Sequence, residues 1–139
     1  MIKQATTIAD IEKCTAAIIA LRPHLLVADL PDMLMQMFTE GYQLLYYETT
    51  DGNTAAIIGY RYLQYLYNGK HFYIDDLSTL PEYRGKGYAG MLLDHVIELA
   101  KEQGYNCVTL DSGYMRNDAH RLYLNKGFVL ACHHFSKQL

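Results

Sequence analysis

The sequence predicts an α/β (α+β) fold in which a β-meander is flanked by helices, with the order βααβββαβαβ along the chain. Three observations carry this. Ala89, Leu92, Leu93, Val96, Ile97 and Ala100 recur at helical spacing until Gly104 stops the run. Asp51-Gly52-Asn53 and Asn68-Gly69 read as hairpin turns between three apolar stretches. Finally, Arg84-Gly85-Lys86-Gly87-Tyr88-Ala89-Gly90 joins an apolar strand to the long helix without a capping side chain.

Met1 to Thr6 reads as a strand. Thr7 can cap a helix from Ile8 to about Leu21, with Asp10 placed for the reciprocal capping-box contact, and Pro23 ends that helix. Asp29 and Pro31 form a cap and first-turn pair for a short helix carrying Met33, Leu34, Met37 and Phe38, closed by Gly41. Strands follow at about Tyr42 to Glu48, Ala55 to Tyr67 and His71 to Leu80. In the last of these the apolar positions change phase, from even numbers at Phe72 and Ile74 to an odd number at Leu77, as a β-bulge near Asp75-Asp76 would produce. After the long helix come a strand from Asn106 to Asp111, a helix from about Asp118 to Lys126 and a last strand from Phe128 to Ser136.

At 139 residues, 50% hydrophobic and 19% charged, the chain is expected to form one domain spanning residues 1–139 around a sizeable core. A net charge of −3 with no basic stripe argues against nucleic acid and is compatible with a small cationic substrate. No apolar run approaches the ~18 residues of a membrane span, and the chain opens on a strand-like segment rather than a signal peptide. The expectation is a cytoplasmic protein with no membrane partner. Cys14, Cys107 and Cys132 lack CxxC spacing and sit in apolar-periodic segments, so they are expected to be buried free thiols. Cys132-His133-His134 alternate faces if extended and cannot converge on one ion, so no metal is expected.

The glycine-rich junction is the most informative segment. Helix N-termini carry orphan N–H groups and a positive dipole end; here Gly85 and Gly87 bare the backbone while Arg84 and Lys86 add charge, which suits a phosphate or pyrophosphate. Gly85 to Gly90 also reads as GxGxxG. A dinucleotide-binding strand, however, runs almost straight into its first glycine, whereas Pro81-Glu82-Tyr83-Arg84 intervenes here and too little chain follows for further βαβ units. No Gly-Lys-Ser/Thr is present for a Walker loop.

The segment closely resembles the acetyl-CoA motif of the GCN5-related N-acetyltransferases, Arg/Gln-x-x-Gly-x-Gly/Ala, met by Arg84, Gly87 and Ala89. Leu77-Ser78-Thr79-Leu80-Pro81 resembles the family's Leu-x-Val-x-Pro strand end, with Thr79 in place of Val, and Ala119 to Phe128 resembles its Ala-x-x-x-Tyr-x-x-x-Gly-Phe signature. The resemblance covers residues 54 to 139, with the first third matching by element order. It implies a mixed central sheet with a splayed pair of strands holding acetyl-CoA. The implied cofactor contacts are backbone groups of Leu77 and Thr79 and the segment Arg84, Gly85, Lys86, Gly87, Tyr88, Ala89 and Gly90.

For the chemistry, the resemblance implies direct attack of an amine on the thioester, with Tyr123 hydrogen-bonding the departing sulfur. A primary amine near ~10.4 costs about 4–5 kcal/mol to neutralise at pH 7 unless a base assists. Asp75 and Asp76 lie where small-amine members carry acidic residues that recognise the cation or relay its proton; recognition is the simpler role for an ordinary carboxylate. His71 is better tuned as a base but nothing local places it near substrate. Arg22 and His24, in the first helix-to-helix connection, and Tyr73 complete the substrate candidates, with ordinary C-cap, turn and sheet-face roles as the alternative. Asp118 to Arg121 and the His133 to Lys137 tail further resemble members acting on amino-phosphonates. The expected function is therefore acetyl-CoA-dependent N-acetylation of a small-molecule primary amine. The alternatives are acetylation of a protein lysine or N-terminus, and a non-catalytic acyl-CoA-binding module. A homodimer is compatible with the resemblance.

Overall fold

The computed structural model describes residues 1–139 as two compact units, Met1–Thr109 and Leu110–Leu139. The first contains β1 (Ile2–Ala5), α1 (Ile8–Leu21), α2 (Leu30–Thr39), β2 (Gln43–Glu48), β3 (Thr54–Tyr65), β4 (Gly69–Thr79) and α3 (Tyr88–Glu102), and β5 (Cys107–Leu110) runs across the boundary. The second contains α4 (Asn117–Asn125). One mixed sheet has the order β1-β2-β3-β4-β5, with β1 to β4 antiparallel throughout.

Local chemistry explains the elements. Thr7 Oγ1 accepts from the Asp10 N–H at 3.2 Å while Asp10 Oδ2 accepts from the Thr7 N–H at 3.0 Å, closing the predicted capping box on α1. The Asp10 carboxyl is held down at about 2, first by the Thr6 N–H and then by the Thr7 hydroxyl. Gly52 (φ 80°) and Gly69 (φ 71°) take the left-handed backbone that their hairpin turns require.

Helices cover both faces of the sheet, so Ala55 to Tyr60 of β3 are buried without alternation. Leu44, Tyr46 and Ile57 pack with Ile11, Cys14, Ala17 and Leu34 of α1 and α2. On α3, Leu92, Leu93, Val96 and Ala100 form the buried stripe expected from their spacing.

Three expectations need correction. Asp29 does not cap α2: it is helical in backbone, closes a 3-10 turn over Val27–Asp29, and makes no side-chain cap bond. Phe128 to Ser136 form no strand. Their apolar spacing suits one, but a strand exists only through a partner's hydrogen bonds, and Val129, Leu130 and Phe135 are exposed. Of the cysteines, only Cys14 is buried, its thiol pushed up to about 12 by burial; Cys107 is half-buried and Cys132 exposed, and all three are free.

Candidate functional site

The predicted bulge lies in β4. Gly59 pairs with Asp76 but Tyr60 with Ile74, leaving Asp75 as the extra residue. A regular strand would send Asp75 and Asp76 to opposite faces. With the bulge, each meets an arginine: Arg61 Nε donates to Asp75 Oδ2 at 2.8 Å, and Arg22 Nε and Nη2 donate to Asp76 Oδ1 at 3.1 and 2.9 Å. Arg22 Nη2 also reaches the Asp75 carbonyl at 3.1 Å. The C-cap of α1 is thereby tied to the bulge.

Tyr42, just before β2, joins the two pairs. Its hydroxyl donates to Asp76 Oδ2 at 2.8 Å, and the Arg61 guanidinium lies 5.2 Å from its ring centroid. Burial, then the charge of Asp76, pushes the phenol well above its ordinary value, so it remains a donor. The ring crosses β3 at Gly59, where a Cβ would fall inside the phenol. Asp75 differs from Asp76. Burial raises its carboxyl, outweighing the opposing pull of Arg61, and its Oδ1 is buried without a hydrogen-bond partner.

Arg22, His24, Tyr42 and Asp76 are the polar members of the lining of a cavity of about 360 Å³ whose other walls come from α1, α2, their connection and Ile57 of β3. Two of the predicted substrate residues, Arg22 and His24, therefore meet Asp76 at one cavity. His71 and Tyr73 are not part of its lining. His71 is fully buried, with Nδ1 2.9 Å from the Gly69 carbonyl and the ring edge-on to Tyr65. Tyr60 stacks on Phe72, and Tyr62 and Tyr105 meet the Phe72 ring edge-on.

At the start of α3 the chain turns through Gly85 (φ 75°) and Gly87 (φ 83°), the latter as N-cap, and no side chain caps the helix. Arg84 to Gly87 are exposed, and Lys86 Nζ lies 5.3 Å from the Tyr83 ring centroid. Tyr88 packs on Tyr47, 4.6 Å between centroids, which anchors the first helical turn, while Ala89 and Gly90 are half-buried. These features fit a pyrophosphate: free N–H groups, a positive helix end and two accessible cations. Leu77 and Thr79 lie past the bulge, paired on one edge with Ile58 and Ala56. The four-residue β5 starts beside Lys70, whose carbonyl accepts the Asn106 N–H at 2.9 Å.

In the second unit, Tyr123 lies on α4 with its ring 5.9 Å from that of Phe128, whose N–H donates to the Tyr123 carbonyl at 3.0 Å. Burial raises its phenol above the ordinary range. His134 Nδ1 lies 3.3 Å from Asp111 Oδ2. The structure gathers no group of three or more His, Cys, Asp or Glu side chains able to hold a metal ion. Sequence reasoning missed Tyr42, Arg61 and Gly59. Only Gly59 carried a signal, as an isolated glycine inside a strand, the pattern of a close approach.

The acetyltransferase (GNAT) family model matches residues 18–128. An uncharacterized N-acetyltransferase of Bacillus subtilis, YhdJ, is 42% identical over 73 residues, covering 52% of this chain and 51% of that protein. The aminoalkylphosphonate N-acetyltransferase of Salmonella typhimurium is 35% identical over 66 residues, 48% of this chain and 43% of that protein. The chain thus spans about half or less of the length of these curated relatives. Among solved structures, the ribosomal-protein-alanine N-acetyltransferase of Brucella melitensis biovar Abortus matches with a TM-score of 0.85 at 17% identity, covering 100% of this chain and 99% of that one, a likeness of fold.

Proposed function

The chain belongs to the acetyltransferase (GNAT) family, and on that premise we propose that it is an acetyl-CoA-dependent N-acetyltransferase, one domain over residues 1–139, acting on a primary amine of a small molecule. The observation that carries this reading is the uncapped α3 N-terminus, with Gly85 and Gly87 left-handed and Arg84 and Lys86 exposed, in a chain matched by the family. When bound, acetyl-CoA supplies an acetyl group activated as a thioester. Arg84 to Gly90 hold its pyrophosphate, and the outer backbone edge of Leu77 and Thr79 positions its arm.

Asp76 binds the acceptor's cation. Asp75, with a carboxyl raised by burial and an unpartnered buried oxygen, is the candidate proton acceptor. Tyr123 donates a hydrogen bond that strengthens as charge develops on sulfur, an assignment resting on its place in the Ala119 to Phe128 signature. The Salmonella relative, by name an enzyme of a small amine, supports a small-molecule acceptor.

Acetyl-CoA thermal stabilisation, measured with free-thiol release across a panel of amines and peptides, tests the reading. Stabilisation with release on a small amine is the expected result. Release on peptides alone would move the acceptor to protein, and no stabilisation would remove the acetyl-CoA assignment. Tyr123→Phe is expected to bind acetyl-CoA as the parent does and turn over more slowly; unchanged turnover removes Tyr123 from the chemistry.

A further inference from the structure

Resting on that reading, we infer that the acceptor is a monocationic primary amine on an apolar alkyl or aryl body, held in the cavity between α1, α2 and the sheet. Its volume of about 360 Å³ lies within the range of small-ligand sites, about 300–1,000 Å³. Eight of its twelve lining residues are Leu, Ile or Met, so most of an occupant's surface would meet hydrocarbon. Ile18, Leu30, Leu34 and Ile57 are buried in this wall and Met33 of α2 is exposed.

Charge narrows the class further. Asp76 is the one carboxylate in the lining, and its charge is already opposed by Arg22 at 2.9 Å. A carboxylate offers about four acceptor positions. Arg22 takes two and the Tyr42 hydroxyl takes one, so Asp76 retains room for about one more N–H. One ammonium can be read there. The second and third cations of a polyamine, or the several of an aminoglycoside, would enter an apolar chamber without counter-charge. A phosphonate would have to share Arg22 with Asp76, which together with the Asp75 carbonyl already takes the Nε and Nη2 donors of its guanidinium. An alkyl or aryl group loses nothing by burial among these walls and gains with every methylene.

The test is a homologous series from propylamine to heptylamine with phenethylamine, set against spermidine, an aminoglycoside and 2-aminoethylphosphonate. Dissociation constants come from chemical-shift titration without acetyl-CoA, and kcat/KM from thiol release with it. Affinity is expected to rise about fourfold per methylene until the cavity is full, with spermidine and the phosphonate at least tenfold weaker than hexylamine. Met33→Glu, a change on an exposed helical position, is expected to flatten the alkyl series and raise spermidine relative to hexylamine. A flat series, or tighter binding of a polycation or the phosphonate by the parent, overturns the inference, as does failure of every alkylamine to bind. The two readings fail separately. A graded alkyl series without thiol release would leave the cavity's class standing and remove acetyl transfer, whereas thiol release fastest on spermidine would do the reverse.

Discussion

Tyr42→Phe isolates the bond that joins the first strand hairpin to the bulge. The substitution keeps the ring against Gly59 and Arg61 and deletes only the hydroxyl that donates to Asp76 Oδ2 at 2.8 Å. A hydrogen bond to a charged acceptor contributes about 1.5–3 kcal/mol. Here it lies on the low side, because Arg22 continues to hold Oδ1 and Asp76 keeps some access to water. For 139 residues, an unfolding entropy of about 0.3 kcal/mol/K converts this low-side value to a fall in Tm of about 5–7 °C. Acetyl-CoA stabilisation should not change, since Tyr42 is not among the residues proposed to hold the cofactor. Turnover of the amine should fall, because the Asp76 carboxylate loses one of its three fixed bonds.

Calorimetry on Tyr42→Phe, Asp76→Ala and the double variant closes a cycle. Groups sharing one bond should show a coupling of about 1–2 kcal/mol. Additivity within about 0.3 kcal/mol would refute the claim that the two side chains act as one unit, whatever either single variant did. A Tm loss with unchanged amine turnover would refute the functional half alone.

Gly59→Ala is expected to be worse than Tyr42→Phe, because its Cβ would enter the phenol and force Tyr42 out, an overpacking cost of about 1–3 kcal/mol added to the lost bond; equal Tm values for the two variants would contradict this. Gly87→Ala meets no steric obstacle closer than Met91 Cε at 4.0 Å, so its cost is the left-handed backbone, about 1–2 kcal/mol, together with weaker acetyl-CoA binding. Gly52→Ala, at a hairpin φ of 80°, is the control: it should cost similar stability and leave acetyl-CoA affinity intact, and equal affinity losses would detach Gly87 from the cofactor. Asp10→Asn tests the capping box by pH. The folded carboxyl titrates at about 2, below its unfolded value of ~3.9, so its stabilisation is present above that unfolded value and is lost as pH falls through the folded one. Discounted for solvent screening, it should contribute about 1 kcal/mol at pH 7. Urea midpoints of parent and variant should converge between about pH 4 and 2, and a gap that persists at pH 2 would point to another cause.

What was legible in the sequence was local. Thr7 and Asp10 announce the start of α1 because both partners of the capping box lie within four residues, and the phase change from Ile74 to Leu77 announces the bulge because face alternation is counted along one strand. The glycines of the α3 entry are legible for the same reason. Phe128 to Ser136 failed on the complementary ground: the period-2 pattern is intrinsic, but the hydrogen bonds that make a strand belong to a partner the pattern does not name. Asp29 failed more narrowly, because a 3-10 turn had already taken its backbone into the helical region, where an N-cap side chain cannot reach forward. The candidate site divides in the same way. Asp75 and Asp76 could be singled out as adjacent acids beside a bulge, yet their arginines stand 14 and 54 residues away and Tyr42 stands 34 away, distances over which no periodicity extends. Partners drawn from different parts of the chain also give two neighbouring carboxylates different surroundings. Asp76 accepts three hydrogen bonds, from Arg22 and Tyr42, whereas the Asp75 carboxylate meets one arginine, is raised by burial and keeps a buried oxygen without a partner, which is the contrast the proposed division of roles rests on.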